Sequence, residues 1–85
     1  MKEVKMFMFE GCPHCKKAQE LIEALKEKCN EYAQIKILSV DEKKDPQIAD
    51  AYDYYYVPAF FVDEVKVHEG VPSEEKIRIV LDKAL

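Results

Sequence analysis

The tightest constraint on this chain is a junction. Met6-Phe7-Met8-Phe9 is a near-continuous apolar run of strand length, the pattern of a central strand covered on both faces. It stops at Glu10-Gly11, and a helical pattern starts almost at once. Ala18, Leu21, Ile22, Leu25 and Cys29 recur at steps of three and four, with Lys16, Lys17, Glu20, Glu23 and Lys26 between them. Pro13 suits the first turn of that helix, where its missing N–H leaves no bond unmade. A buried strand feeding directly into an amphipathic helix implies an α/β chain whose helix packs back across the sheet. Cys12 and Cys15 sit at the junction itself.

The remaining elements follow from the same reading. A second strand is expected over Ile35 to Val40, with Ile35, Ile37 and Leu38 as inward candidates, followed by a solvated charged turn from Asp41. Asp45 is expected to cap a short helix opening on Pro46 and carrying Ile48, Ala49 and Tyr52 on one side. That helix must give way before Val57-Pro58, because the residue preceding a proline is pushed out of the helical region. Ala59-Phe60-Phe61-Val62 reads as a third strand, and Asp63-Glu64 as a tight turn to Val65-Lys66-Val67-His68, although it lacks the glycine that such turns favour. Gly70 ends the edge strand. Ser73 caps a last helix with Ile77, Val80, Leu81 and Leu85 facing inward.

The order βαβαββα implies a three-layer α/β sandwich, with a four-stranded mixed sheet flanked by three helices. Its first half is a right-handed parallel βαβ unit. The walk uses residues 1–85 as a single domain, without repeat or linker. With 48% hydrophobic and 35% charged residues the chain is of the folded globular kind, and its small core leaves no room for a large internal cofactor. Thirteen basic against seventeen acidic residues, a net charge of −4, argue against nucleic acid as a partner. No apolar run approaches the ~20 residues of a membrane span. The expectation is a soluble, cytoplasmic monomer.

Three cysteines do not describe a framework of several bridges. One close pair and one spare fit better. In Cys12-Pro13-His14-Cys15, the unpaired N–H groups and the positive end of the helix dipole favour a thiolate at Cys12, which makes it the nucleophile. Cys15, one turn into the helix, is then the buried resolving cysteine. His14, inside the ring that the pair would close, is a candidate to donate a hydrogen bond or positive charge to the Cys12 sulfur; this would favour the reduced pair and raise its reduction potential. The other reading of His14 is a solvated side chain. Cys29, on the helix stripe, is expected to be a small buried hydrophobe.

Cys12-Pro13-His14-Cys15 after an apolar strand, Val57-Pro58 opening the third strand, and the βαβαββα order resemble the thioredoxin-like superfamily in its short, glutaredoxin-sized form. The resemblance implies a thiol–disulfide oxidoreductase that needs no cofactor beyond its own cysteine pair. It implies that Pro58 is cis and lies against the cysteines, that the backbone of Val57 pairs with an extended substrate segment, and that Gly70 borders the substrate groove. Tyr56, with Tyr54 and Tyr55, falls where that groove runs, with ordinary packing as the alternative. The short length and the Val-Pro pair resemble glutaredoxins, in which glutathione is co-substrate. The stretch His68-Glu69-Gly70-Val71-Pro72-Ser73-Glu74 lacks the Gly-Gly and paired acidic residues of that branch, and its single glycine resembles thioredoxins, reduced by a dedicated reductase. Met6 stands where thioredoxins carry a buried aspartate. Pro13-His14 is also the dipeptide of a periplasmic disulfide oxidant of the superfamily. Protein disulfides are the implied substrates, and the electron donor stays open between a thioredoxin-reductase-like protein and glutathione.

A different class of function remains beside this one. Cys12, His14 and Cys15 are competent metal ligands, and the resemblance to glutaredoxins implies as one form an iron–sulfur cluster shared by two copies through Cys12 and glutathione; a structural zinc site would need Cys29 and His68 to converge with them.

Overall fold

A computed structural model of the chain describes residues 1–85. Strand β1, Val4–Met8, lies inside the sheet. It pairs in parallel with β2, Ile37–Asp41, and antiparallel with β3, Ala59–Val62, which pairs antiparallel with β4, Val65–Glu69. The order across the sheet is β2-β1-β3-β4, the mixed four-stranded sheet expected. The apolar run thus does form an inner strand, although the strand starts two residues earlier and ends one earlier than the run itself.

Alternation within the strands divides the core in two. Val4, Met6, Phe60 and Val62 point to one face and are buried against α1, Pro13–Lys28, and α4, Glu74–Ala84, through Ala18, Ile22, Leu25, Ile77, Val80 and Leu81. Phe7, Ala59 and Phe61 point to the other face, where Val40 and Ala49 of α3, Pro46–Ala49, complete a smaller cluster. Tyr52 and Tyr54 pack against that cluster. Tyr54 stacks on Phe7 at 5.0 Å between ring centres, and Phe61 meets Phe7 edge to face at 5.6 Å, arrangements that aromatic quadrupoles favour.

Several local expectations are corrected. There are four helices, because the first ends at Lys28 and a short α2, Asn30–Ala33, follows it. Cys29 is the link between them. Its backbone is extended and it is only half-buried at the core's margin. Ile35 is fully buried but precedes β2, which begins at Ile37. Leu38 is 53% exposed, since the strand alternation that turns Ile37 toward the helices turns Leu38 away from them. Asp45 makes no capping bond with its side chain. Asp41 organises that turn instead, accepting from the backbone N–H groups of Lys43 at 2.9 Å and Lys44 at 3.3 Å. Ser73 caps α4 as expected, its Oγ accepting from the Lys76 N–H at 3.2 Å.

The hairpin turn solves its missing glycine by anchorage. Asp63 and Glu64 both have positive φ, 47° and 71°, which costs an L-residue about 1–2 kcal/mol. Asp63 exchanges two hydrogen bonds with Glu3, N–H to carbonyl at 2.9 Å and carboxylate from N–H at 3.0 Å. The Glu64 carboxylate accepts from Lys5 Nζ at 2.8 Å and from the Tyr52 hydroxyl. At the same end of the sheet the Lys2 N–H donates to the Ala84 carbonyl at 2.9 Å. This end lies away from Cys12, which follows the other end of β1.

Candidate active site

Cys12 is the N-cap of α1 and Pro13 its first residue. The tight turn that places it there closes with Cys12 N–H donating to the Phe9 carbonyl at 3.2 Å, and Lys16 N–H begins the helix on the Cys12 carbonyl at 3.0 Å. Gly11, at φ +89°, makes the reversal from strand to helix possible. The loop is braced from the side, since the Glu10 N–H donates to an Asp41 carboxylate oxygen at 3.2 Å. In this frame the Cys12 side chain takes the place of the usual capping oxygen, and the Cys15 N–H donates to Cys12 Sγ at 3.2 Å.

Both thiols are free and buried, Cys12 at 6% exposure and Cys15 at 2%. Their environments differ. Cys12 Sγ accepts an N–H and sits at the N-terminal end of a 16-residue helix whose first turn holds no acidic residue. Burial, and then the contact with Cys12, push the Cys15 thiol up, so Cys15 holds its proton at neutral pH.

Pro13, His14, Lys16 and Lys17 are exposed. The hydrogen bond that reaches Cys12 Sγ comes from the backbone, not from the His14 ring. His68 is half-buried, its Nε2 lying 3.2 Å from the Val71 carbonyl oxygen. No three His, Cys, Asp or Glu side chains converge as a metal-holding group; Cys29 and His68 do not join the pair in a four-ligand set. No helix is long and apolar enough to cross a membrane.

The second half of the site is the loop before β3. The Val57–Pro58 bond is cis. Pro58 is buried, and Val57 packs against the cluster that contains Cys12 and Cys15. Neither the N–H nor the C=O of Val57 is hydrogen-bonded within the chain. Gly70 closes on this loop, its N–H donating to the Pro58 carbonyl at 2.9 Å. Its φ is +91°, and a Cβ placed on it would stand 3.7 Å from Tyr56 Cβ. Tyr56, Val57, Pro58 and Gly70, four residues singled out from sequence, therefore come together. The three tyrosines separate: Tyr54 belongs to the aromatic core and donates to Glu42 Oε1 at 2.7 Å, whereas Tyr55 and Tyr56 are 82% and 68% exposed. Two residues that organise the site, Asp41 and Glu69, escape a sequence reading, because the loops they brace are held through backbone N–H groups, which carry no sequence signal.

A mixed sheet with helices on both faces, and a Cys-x-x-Cys pair at the start of the helix that follows its inner strand, is the arrangement of thioredoxin-like thiol–disulfide oxidoreductases. A family model described as a thioredoxin domain matches residues 2–82, and the chain belongs to that family. No curated protein matches it. Among solved structures, it is similar to Fasciola hepatica thioredoxin, at 23% identity and a TM-score of 0.72 over 99% of this chain and 81% of that one. It is also similar to the oxidised thioredoxin of Plasmodium falciparum, at 16% identity and a TM-score of 0.71 over 96% and 79% of the two chains. A mutant thioredoxin from Halobacterium salinarum gives 20% identity and a TM-score of 0.70 over 98% and 74%. These likenesses are of fold.

Proposed function

We propose that this protein reduces or exchanges disulfides in polypeptides through a Cys12–Cys15 cycle. The observation that carries the reading is the asymmetry of the pair: Cys12 Sγ accepts an N–H bond at a helix start, while Cys15 is buried and holds its proton. The Cys12 thiolate attacks one sulfur of the target disulfide, the target S–S bond breaks, and one target thiolate leaves. Cys15 gives up its proton to the departing side and attacks Cys12 Sγ. The mixed disulfide breaks, the second target thiol is released, and the two electrons delivered leave a Cys12–Cys15 disulfide. Val57, with both backbone groups unpaired, is positioned to pair with the target chain, beside Tyr56, Pro58 and Gly70.

The electron donor in this reading is a thioredoxin-reductase-like protein rather than glutathione. Gly70 N–H, in the stretch where glutaredoxins hold glutathione, is already committed to Pro58. Two experiments test the whole. Cys15→Ser is expected to trap a mixed disulfide and Cys12→Ser to be inert; equal activity in both would refute the assignment. Supplied with NADPH, turnover is expected with thioredoxin reductase, and turnover only with glutathione and glutathione reductase would overturn the choice of donor.

A further inference from the structure

The loop that carries Tyr55, Tyr56 and Val57 is held by one side chain. Glu69 Oε2 accepts from the N–H of Tyr55 at 2.7 Å and from the N–H of Tyr56 at 2.9 Å, while Glu69 Oε1 takes Lys66 Nζ at 2.8 Å. Two successive amides aimed at one oxygen fix the local backbone, and bonds to an ionised acceptor are the strong kind. The carboxylate is held down to about 2 by Lys66 and by the Tyr56 and Tyr55 amides, so the clamp is charged throughout the working pH range. Gly70 adds its own bond to Pro58. Two consecutive residues of the β4 end thus hold three of the four loop residues from Tyr55 to Pro58, and leave Val57, the one between them, with free backbone groups.

A break in β4 makes this possible. Lys66 pairs with Phe61 and His68 with Phe60, so Val67 is an extra residue in the ladder. Residues three apart in a regular strand point to opposite faces; with Val67 inserted, Lys66 and Glu69 oppose Phe61 and Ala59, which share a face. The bulge turns Glu69 toward the side on which the tyrosine loop lies.

Resting on the polypeptide–disulfide reading above, we propose that Glu69 is a positioning residue for polypeptide substrates, holding Tyr55–Val57 as a preformed ledge on which an extended, apolar-flanked segment docks by pairing with Val57. The exposed Tyr55, Tyr56 and Val71 side chains supply the apolar contact, and preforming the ledge removes an ordering cost from binding. A small disulfide that never reaches the ledge would not share this dependence.

The test compares insulin, turned over with dithiothreitol as reductant, with 5,5′-dithiobis(2-nitrobenzoic acid), reacted with the pre-reduced protein after free dithiothreitol has been removed, so that the Cys12–Cys15 dithiol supplies the two electrons. Glu69→Ala is expected to lose about tenfold in kcat/KM on insulin, through KM, and at least about fivefold less on the small disulfide. Glu69→Gln, which keeps an acceptor for both amides, recovers most of that loss. Amide exchange at Tyr55 and Tyr56 is expected to speed up in Glu69→Ala and to stay near wild type in Glu69→Gln. Equal losses on both substrates, or faster exchange without an insulin defect, would overturn the positioning role. A wild type that reduces neither substrate would instead overturn the dithiol reading, and the docking role with it.

Discussion

The two halves of the site are built in opposite ways. The dithiol turn is local: Cys12, Pro13 and Cys15 are set by one helix start, and the bonds that shape it mostly span three or four residues. The loop from Tyr55 to Pro58 has almost no local support; it hangs on Glu69 and Gly70, twelve to fourteen residues later, and on the aromatic layer beneath Tyr54. Reactive chemistry is thereby fixed by sequence-near geometry, and recognition by tertiary contacts that can change without disturbing the sulfur atoms.

The largest effect that would break this division is expected from the aromatic layer. Phe7 is fully buried and touches Tyr52, Tyr54 and Phe61. Phe7→Ala should cost about 3–5 kcal/mol in urea unfolding, and amide exchange should rise in the 52–58 segment more than around Cys12. Uniform loosening of both halves would show that they are not independent.

A smaller and sharper comparison uses the two glycines, at φ +89° and +91°. Gly11→Ala and Gly70→Ala should each lose about 1–2 kcal/mol of stability, because both force an L-residue into the left-handed region. No atom within 4 Å meets a Cβ at Gly11, and at Gly70 the contact is an ordinary 3.7 Å, so backbone strain is the common cost. Their functional effects should diverge, Gly70→Ala weakening turnover of insulin more than of a small disulfide and Gly11→Ala affecting both alike.

The smallest effect concerns the proton on Cys15. Its thiol is raised in the folded, reduced protein, so the native state binds this proton more tightly than the unfolded chain does. That stabilisation is fully present below the ordinary thiol pKa of about 8.5 and is lost as pH climbs through the raised value. Tyr54 and Tyr32 shift in the same direction. The informative quantity is therefore the difference in alkaline stability between the reduced protein and Cys15→Ala, which should shrink with rising pH, by no more than the ~1.4 kcal/mol per pH unit that one proton allows. A constant difference would mean that Cys15 is not the buried, protonated partner.

The same contrast explains what is legible in the sequence. The inner strand, α1, the hairpin and α4 are readable because burial periodicity and a Ser cap are local signals, and so is the Cys12–Cys15 pair. Cys29 reads as helical although α1 ends one residue before it, because its spacing fits the stripe whether or not the backbone stays helical. Leu38 reads as inward because a strand this short carries too few residues to fix its phase. Asp45 resembles a cap beside Pro46, but Asp41 is better placed to reach the free amides. Glu69 lies beyond reach for a stronger reason: its orientation depends on one extra residue at Val67, and no composition rule marks a bulge in Val65-Lys66-Val67-His68.

The bond from Lys2 to Ala84 has a practical meaning. β1 runs about 17 Å from that clasp toward the dithiol, which places both ends of the chain at the opposite end of the sheet from Cys12. A surface linker, a reporter domain or a bait tether attached at either end would leave from the same side, and would keep the face that meets disulfides open. A trap built from Cys15→Ser can therefore be immobilised through either end and still leave the end of the sheet that carries Cys12 unobstructed.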